Sequence, residues 1–285
     1  MSNVEATDME SLPEILTAFE QALELERELG TRTVDCDRAL LAPLGPKDLK
    51  DPKDPKDPKD LKDTKDLKDS KDLKDLKDSK DLKDPNDLKG ESRAMPTTEE
   101  LAACTKCPLA TLGRQHVVPG QGNANSPDFM FIGEAPGADE DRQGLAFVGA
   151  AGQFLTKMIA AMGYTREQIF IANICKCRPP NNRTPNPQEM EACLPYLRRQ
   201  IAAIRPKCIV LLGRTAMNGL FPTQRIRRCT WYEYAGIPVI ATFHPSYIIR
   251  FNPVTDAVSL RTAKLEVWNT LKQALAKLGK QPPKK

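Results

Sequence analysis

The chain has 285 residues and a formal net charge of +4, but this modest charge hides two unlike parts. Residues 1–93 carry 18 Lys and Arg against 25 Asp and Glu, whereas residues 94–285 carry 24 against 13. The basic part, about 190 residues, is long enough for one domain with a substantial core, and its charge points to a polyanion such as nucleic acid, with a general solubility charge as the alternative. No apolar run approaches a membrane span, and the acidic N-terminus is unlike a signal peptide, so we expect a cytoplasmic protein with reduced thiols.

The acidic part contains a helical pattern followed by a repeat. Within residues 1–46, apolar residues of the segment 12–29 recur at near-helical spacing and predict a short amphipathic helix. Residues 47–93 are dominated by the triplet Lys-Asp-X. Four prolines and a period of three prevent one continuous apolar helix face, so we predict a disordered linker without chemistry of its own.

Residues 94–285 have the alternating pattern of an α/β domain. Continuous apolar runs predict four strands of a central, mainly parallel sheet: Phe129–Gly133, Ile169–Ile174, Cys208–Gly213 and Pro238–Phe243. Helical patterns lie between and after them, at Gly152–Met162, Pro187–Ile204, Thr215–Leu220 and Ser259–Leu278. This order predicts a three-layer sandwich in which ligands bind at the carboxyl ends of the strands.

Four cysteines form a two-plus-two pattern. Cys104 and Cys107 are two residues apart, and Cys177 and Cys193 enclose a loop rich in Pro, Asn and Arg. Four thiolates suit zinc and a four-iron cluster equally well on geometry alone. Buried core cysteines are the alternative, but they explain neither the close pair nor its position ahead of the α/β pattern.

Unusual polar residues follow the predicted strands. The first strand continues into Gly-Glu-Ala-Pro-Gly at residues 133–137, with Glu140 and Asp141 behind it, and this loop lacks the Gly-x-Gly-x-x-Gly spacing of a dinucleotide site. Asn173 lies near the end of the second strand, and His244 follows the fourth. A lone histidine is usually structural, which is our interpretation of His116, but the position of His244 favours a function.

Together these motifs resemble the iron-sulfur (family 4) uracil-DNA glycosylases of the uracil-DNA glycosylase superfamily. The resemblance covers about residues 97–279 and rests on the cysteine pairs, Gly-Glu-Ala-Pro-Gly, Phe-Val-Gly at 147–149, Asn173 before Lys-Cys-Arg-Pro-Pro, and His-Pro-Ser-Tyr at 244–247. It implies a DNA-repair enzyme that hydrolyses the N-glycosidic bond of uracil in single- or double-stranded DNA. It also implies a 4Fe-4S cluster held by Cys104, Cys107, Cys177 and Cys193. We expect a monomer that associates with the nucleoid through DNA and has no membrane partner.

The resemblance also suggests roles in the pocket. We expect Asn173 to read the Watson–Crick edge of a flipped uracil, Phe147 to stack on the base, and His244 to donate to O2 as negative charge develops there. Gly133 and the backbone amides around Glu134 and Ala135 would line the same pocket. Glu134 and Glu140, with Asp141 behind them, are candidates for positioning water or stabilising the cationic sugar.

Further residues are candidates for DNA contacts. Ile248 and Ile249 could fill the space left by the extruded base, with ordinary core packing as the equal alternative, and Arg250 could contact a phosphate. Arg178 and Arg183, in the loop between the second pair of cysteines, would face DNA.

Two other functions fit parts of the sequence. One is a covalent, non-hydrolytic uracil-binding member of the same superfamily, but such relatives carry a basic, His-containing insertion near the second cysteine pair, and residues 178–192 contain no His. The other is a zinc-stabilised nucleic-acid-binding module, which explains the charge and the cysteines but not the residues at the strand ends.

Overall fold

A computed structural model describes residues 94–252 and 255–283, so the predicted N-terminal helix and the Lys-Asp-X linker lie outside the described residues. The helices are α1 Thr98–Ala102, α2 Ala138–Gln143, α3 Ala150–Ala161, α4 Pro187–Ile204, α5 Gly213–Leu220, α6 Pro245–Ile248 and α7 Ala257–Lys277. The strands are β1 Gln121–Gly122, β2 Phe129–Gly133, β3 Phe170–Asn173, β4 Cys208–Leu212, β5 Trp231–Tyr234 and β6 Ile237–Thr242. In this part of the chain, no helix is long and apolar enough to cross a membrane.

The sheet has six strands in the order β1-β3-β2-β4-β6-β5. The four predicted strands form its parallel centre, which confirms the mainly parallel α/β fold. The predicted number of four strands is wrong because β1 and β5 add antiparallel edges. Neither edge has a continuous apolar run: β1 has only two residues, and β5 is only half covered, with Glu233 exposed.

Both faces of the sheet are covered, which gives the predicted three layers. In β2, Phe129 and Phe131 pack on one face, whereas Met130 and Ile132 pack on the other, because successive side chains of a strand point in opposite directions. The first face is covered by α3 and α7, and the second by α4 and α5. This explains why the central strands are apolar at every position.

The long helix α4 begins at residue 187, as predicted, because local capping fixes its start. The Asn186 side chain accepts a hydrogen bond from the Glu189 backbone N–H, and the Glu189 carboxylate accepts one from the Asn186 N–H, both at 2.8 Å. Pro187 occupies the first helical position, where no intrahelical N–H bond is lost. This cap sets where Cys193 lies on the helix.

Candidate active site and cysteine pocket

The parallel strands end together at one edge of the sheet and bring three predicted pocket residues into contact. Gly133 is the register partner of Asn173 on the neighbouring strand. A Cβ atom placed on Gly133 would lie 2.4 Å from Cζ of Phe147 and 2.6 Å from Oδ1 of Asn173. Only glycine therefore allows the aromatic ring and the amide to approach the end of β2 this closely.

Asn173 carries the clearest sign of a binding role. Its side chain is only 2% exposed, and its Oδ1 atom has no hydrogen-bond partner among the residues that the structure describes. A buried amide oxygen without a partner costs about 1–3 kcal/mol and needs an explanation. The simplest is a ligand whose N–H donates to this oxygen.

Phe147 forms one wall of the pocket. It is 6% exposed and adopts a φ of +54°, an unusual conformation for an aromatic residue. Gly152, in the first turn of α3, packs against its backbone so closely that a Cβ there would lie 1.9 Å from the Phe147 carbonyl oxygen. The ring centroids of Phe147 and His244 are 5.7 Å apart, so the aromatic wall and the imidazole face the same space.

His244 is held in one orientation by the turn that follows it. Its Nδ1 accepts a hydrogen bond from the Ser246 backbone N–H at 3.1 Å and lies 2.7 Å from the Ser246 hydroxyl. Because Nδ1 is an acceptor, we assign the ring proton to Nε2. Burial, and to a lesser degree the charge of Arg250, lowers the pKa of His244 from 6.5 to about 4. The imidazole is therefore a neutral donor at neutral pH.

A second glycine makes room for this histidine. Gly213 follows β4 directly and has a φ of +82°, which glycine adopts without strain. A Cβ atom there would lie 2.8 Å from Cβ of His244. The ends of β4 and β6 are thus shaped around the imidazole.

The acidic candidates differ in what their side chains contact. Glu140 is buried, and its carboxylate accepts three backbone N–H bonds, from Gly137 at 3.1 Å and from Val148 and Gly149 at 2.9 Å. Asp141 is also buried and accepts N–H bonds from Gln115 and His116. Both side chains hold loops together, and a role of Glu140 in positioning water stays a prediction.

Glu134 and Ala135 are half-buried and follow β2 directly at the carboxyl edge of the sheet. The carbonyl oxygen of Glu134 accepts the Cys175 N–H at 3.0 Å, which extends the pairing of β2 and β3 beyond the regular strands. His116 is exposed, and its Nδ1 lies 2.7 Å from the Asp141 carbonyl oxygen, in agreement with a structural role.

The two predicted wedge residues have different environments. Ile248 is only 2% exposed and packs in the core under the first face of the sheet, so the core alternative holds for it. Ile249 is 43% exposed, and Arg250 beside it is exposed, with its Nε donating to the Ser246 carbonyl oxygen at 3.1 Å. Helix α6 turns one isoleucine inward and leaves the next outside.

The loop between Cys177 and Cys193 is ordered by an ion pair. Arg183 donates to both carboxylate oxygens of Glu189, at 2.8 and 2.7 Å, and these hydrogen bonds lower the pKa of Glu189. Because Glu189 is 1% exposed, its charge needs this partner, so Arg183 has a structural role, and its contact with DNA stays a prediction. Arg178 donates to the Asn182 side chain at 2.7 Å.

The four predicted cysteine ligands line one small pocket. They share it with three cationic side chains, Lys106, Arg114 and Lys176, and none of the described residues that line it is acidic. Within the described part of the chain, no three or more His, Cys, Asp or Glu side chains form a group that could hold a single metal ion. Of the other cysteines described, Cys208 is fully buried in the core, as predicted.

Two basic residues that the sequence analysis missed organise this pocket. Arg114 donates to the Cys177 thiol at 2.9 Å and to the carbonyl oxygens of Ala102 and Cys104 at 2.6 and 3.3 Å, so it connects the two cysteine pairs. Lys176 is 1% exposed and donates to the Asn173 carbonyl oxygen at 2.8 Å. The Cys-Lys-Cys sequence could have drawn attention to Lys176, whereas no pattern in the sequence marks Arg114.

Comparison with known proteins agrees with this geometry. Residues 119–272 match the family model described as "Uracil DNA glycosylase superfamily". The chain is 44% identical over 161 residues to the type-4 uracil-DNA glycosylase of Archaeoglobus fulgidus, an alignment that covers 53% of this chain and 80% of that protein. It is 43% identical over 160 residues to the Thermotoga maritima type-4 enzyme, covering 54% and 81%, and 41% identical over 190 residues to that of Saccharolobus solfataricus, covering 62% and 84%. The chain belongs to the uracil DNA glycosylase superfamily.

Proposed function

We propose that this protein is a DNA-repair glycosylase that flips uracil out of DNA and hydrolyses its N-glycosidic bond, leaving an abasic site. The observation that carries the proposal is the buried, unpartnered Oδ1 of Asn173, which lies against Gly133 and beside the Phe147 ring. The relatives named above are called type-4 uracil-DNA glycosylases, which supports the same activity here.

Asn173 reads the base. Its Oδ1 accepts the N3–H of uracil while its amide group donates to O4, and cytosine presents the opposite polarity at both positions. The Phe147 ring stacks on the extruded base. A pocket whose buried acceptor has no partner among the described residues favours the base that supplies the donor, because the wrong base leaves the acceptor unpaired.

His244 stabilises the leaving group. As the bond from C1′ to N1 breaks, the electron pair stays on uracil, negative charge develops on O2, and the sugar becomes cationic. The Nε2–H of a neutral His244 donates to O2 in this transition state, and Nδ1 is occupied by Ser246. Water then adds to C1′, and the proton it loses neutralises the departed uracil anion, directly or through solvent. Glu134 is the carboxylate that we propose for positioning this water.

We further propose that Cys104, Cys107, Cys177 and Cys193 hold a 4Fe-4S cluster. The shared pocket, its three cationic side chains and the Arg114 bond to the Cys177 thiol suit an anionic thiolate cluster. Cys104, Cys107, Cys177 and Cys193 would each supply one thiolate to such a cluster, and they need not converge on a single ion as zinc ligands do. Bound there, the cluster would join the segment around α1 to α4, and base excision itself needs no electron.

The contact surface for DNA includes Ile249 and Arg250, which follow His244 in the chain, and Arg178, which follows Cys177. Ile249 is exposed at the rim and can fill the gap left by the flipped base. The cytoplasmic location, the association with the nucleoid and the monomeric state stay predictions.

One experiment tests the activity and the cofactor together. Anaerobically purified full-length protein is incubated with oligonucleotides that contain one uracil, thymine or cytosine, and abasic sites are then cleaved with alkali. We expect cleavage at uracil alone and a brown sample with broad absorption near about 400 nm, typical of cysteine-bound iron. Binding to uracil-DNA without strand cleavage would refute hydrolysis, and a colourless, active protein with stoichiometric zinc would refute the cluster.

A further inference from the structure

Four side chains form a continuous stack beside His244. The Arg228 guanidinium lies over the Phe243 ring, 3.8 Å from its centroid. The Phe243 ring stacks on Tyr247, with centroids 4.6 Å apart and planes 11° apart, and Tyr247 contacts Phe251 edge to face at 4.9 Å. We call Arg228, Phe243, Tyr247 and Phe251 the aromatic stack.

The outer end of the aromatic stack is tied to another element. Arg228 Nε donates to the Glu266 carboxylate on α7 at 2.6 Å, and both side chains are partly buried. The next residue, Cys229, donates its N–H to the Ala241 carbonyl oxygen at 2.9 Å and so joins the Arg228 loop to β6. Because the Glu266 carboxylate binds the Arg228 guanidinium and the Cys229 backbone bond holds its loop, the guanidinium is a rigid support for the Phe243 ring.

The aromatic stack holds both ends of the turn that orients the imidazole. Phe243 directly precedes His244, and Tyr247 follows it by three residues, with the Tyr247 N–H bonded to the His244 carbonyl oxygen at 2.9 Å. Between them lies Ser246, whose N–H bonds to Nδ1 of His244. The distance between the two stacked rings therefore sets the path of the backbone from which Ser246 holds the imidazole.

We infer that Arg228 is a positioning residue for the glycosylase reaction: by stacking on Phe243 it fixes the turn that aims His244 at the uracil leaving group. The inference rests on the proposed role of His244. This role does not require Arg228 to contact DNA or the base. Arg228 thereby differs from the exposed arginines of the same loop.

The test compares single-turnover excision of uracil, at saturating enzyme, by the full-length cluster-containing protein and its variants. Arg228→Met keeps an aliphatic side chain but removes the planar cation, and we expect the rate to fall about 10-fold because small displacements of a catalytic group are costly. The enzyme concentration that gives half of the maximal excision rate and the preference for uracil over cytosine should not change. Arg228→Lys should restore at least part of the rate, since a cation returns over the ring.

Arg227→Met is the matched control. Arg227 is exposed on the same loop, and its backbone N–H, which bonds to the Tyr232 hydroxyl, survives the substitution. Arg227→Met removes the same charge as Arg228→Met but leaves the aromatic stack intact. We therefore expect the maximal rate of Arg227→Met to stay within about 2-fold of the wild type, even where DNA binding becomes more sensitive to salt. An equal loss of maximal rate in Arg227→Met and Arg228→Met would overturn the inference in favour of loop charge.

A double-mutant cycle identifies the route. If Arg228 acts through His244, Arg228→Met should change the rate less than about 2-fold in a His244→Ala background. Additive losses, or a lowered melting temperature that accounts for the loss, would overturn the inference. Glu266→Gln, which leaves the arginine but removes its anchor, gives the same cycle should Arg228→Met fail to fold. If His244→Ala alone leaves the rate unchanged, the proposed role of His244 is what fails.

Discussion

Asn173→Leu separates the role of Asn173 in base recognition from its role in stability. The substitution should lower uracil excision but leave the free energy of unfolding unchanged or slightly raised. The substitution keeps the approximate volume of the side chain and removes the Oδ1 atom that is buried without a partner. Relieving an unsatisfied buried acceptor is worth about 1–3 kcal/mol, from which any misfit of the branched side chain must be subtracted. We therefore expect an unchanged or slightly higher free energy of unfolding, and a melting temperature raised by up to about 4 °C for a domain of this size.

The same substitution should abolish most of the activity. Leucine neither accepts from N3–H nor donates to O4, so the flipped uracil would lose both hydrogen bonds and bury its own polar groups unpaired. We expect single-turnover excision to fall about 100- to 1,000-fold, which corresponds to about 2.7–4 kcal/mol of transition-state stabilisation.

Two measurements on one preparation decide the outcome: the excision rate at saturating enzyme and the thermal unfolding midpoint. Asn186→Leu is the matched control, because the Asn186 side chain is satisfied and caps α4. It should lower stability by about 1 kcal/mol. If Asn173→Leu instead unfolds at least about 5 °C lower, Asn173 is a structural residue; if it keeps full uracil activity, another residue reads the base.

Four further predictions concern His244, its pH dependence, the cysteine pocket and the N-terminal segment. His244→Ala should lower single-turnover excision about 100-fold or more without changing base preference. Because the pKa of His244 is lowered from 6.5 to about 4, its contribution to the stability of the fold is complete above about pH 6.5 and is lost as pH falls toward 4. The excision rate should therefore show no inflection between about pH 6 and 7. An inflection in that range that disappears in His244→Ala would contradict this assignment. Cys177→Ser should lose iron and soluble protein together, measured by metal analysis and yield; a soluble variant with full iron content would count against this ligand. Deletion of residues 1–93 should leave excision intact and tighten binding at low salt, since that segment is acidic, and loss of folding would show that the linker assignment is wrong.

The centre of the fold was predictable because burial on both faces leaves a continuous apolar run. β2 and β4 are completely buried and begin at the predicted residues. The edge strands β1 and β5 lack this pattern because one of them is too short and the other is only half covered. Their pairing depends on neighbours distant in the sequence, which local patterns do not report.

The same distinction applies to the site. The placement of Gly133, Asn173 and His244 at one edge of the sheet was predictable because the carboxyl ends of parallel strands meet. The partners of charged residues were not, because Glu140 is satisfied by backbone amides eight and nine residues away, and Arg114 binds a thiol 63 residues away. Nothing in the composition of these segments distinguishes a carboxylate that meets substrate from one that holds a loop.

Glu134, which follows β2, and Glu140, in α2, should therefore respond differently when each is replaced by glutamine. In Glu140→Gln, the amide oxygen can still accept from Val148 and Gly149, but the NH₂ group then faces the Gly137 N–H, so two donors meet in a buried place. We expect a loss of about 1–3 kcal/mol of stability. Excision should fall with it, because the loop that carries Phe147 is no longer held.

Glu134→Gln should show the opposite pattern. Glu134 is half-buried, and its backbone carbonyl oxygen keeps the hydrogen bond from the Cys175 N–H when the side chain is substituted. Loss of the carboxylate charge removes the group proposed to position water and to stabilise the cationic sugar, so we expect excision to fall about 100-fold, with a smaller loss of stability than in Glu140→Gln. Measuring both quantities for both variants resolves the assignment. A Glu134→Gln enzyme of normal rate, with a Glu140→Gln enzyme that is stable but inactive, would transfer the catalytic role to Glu140.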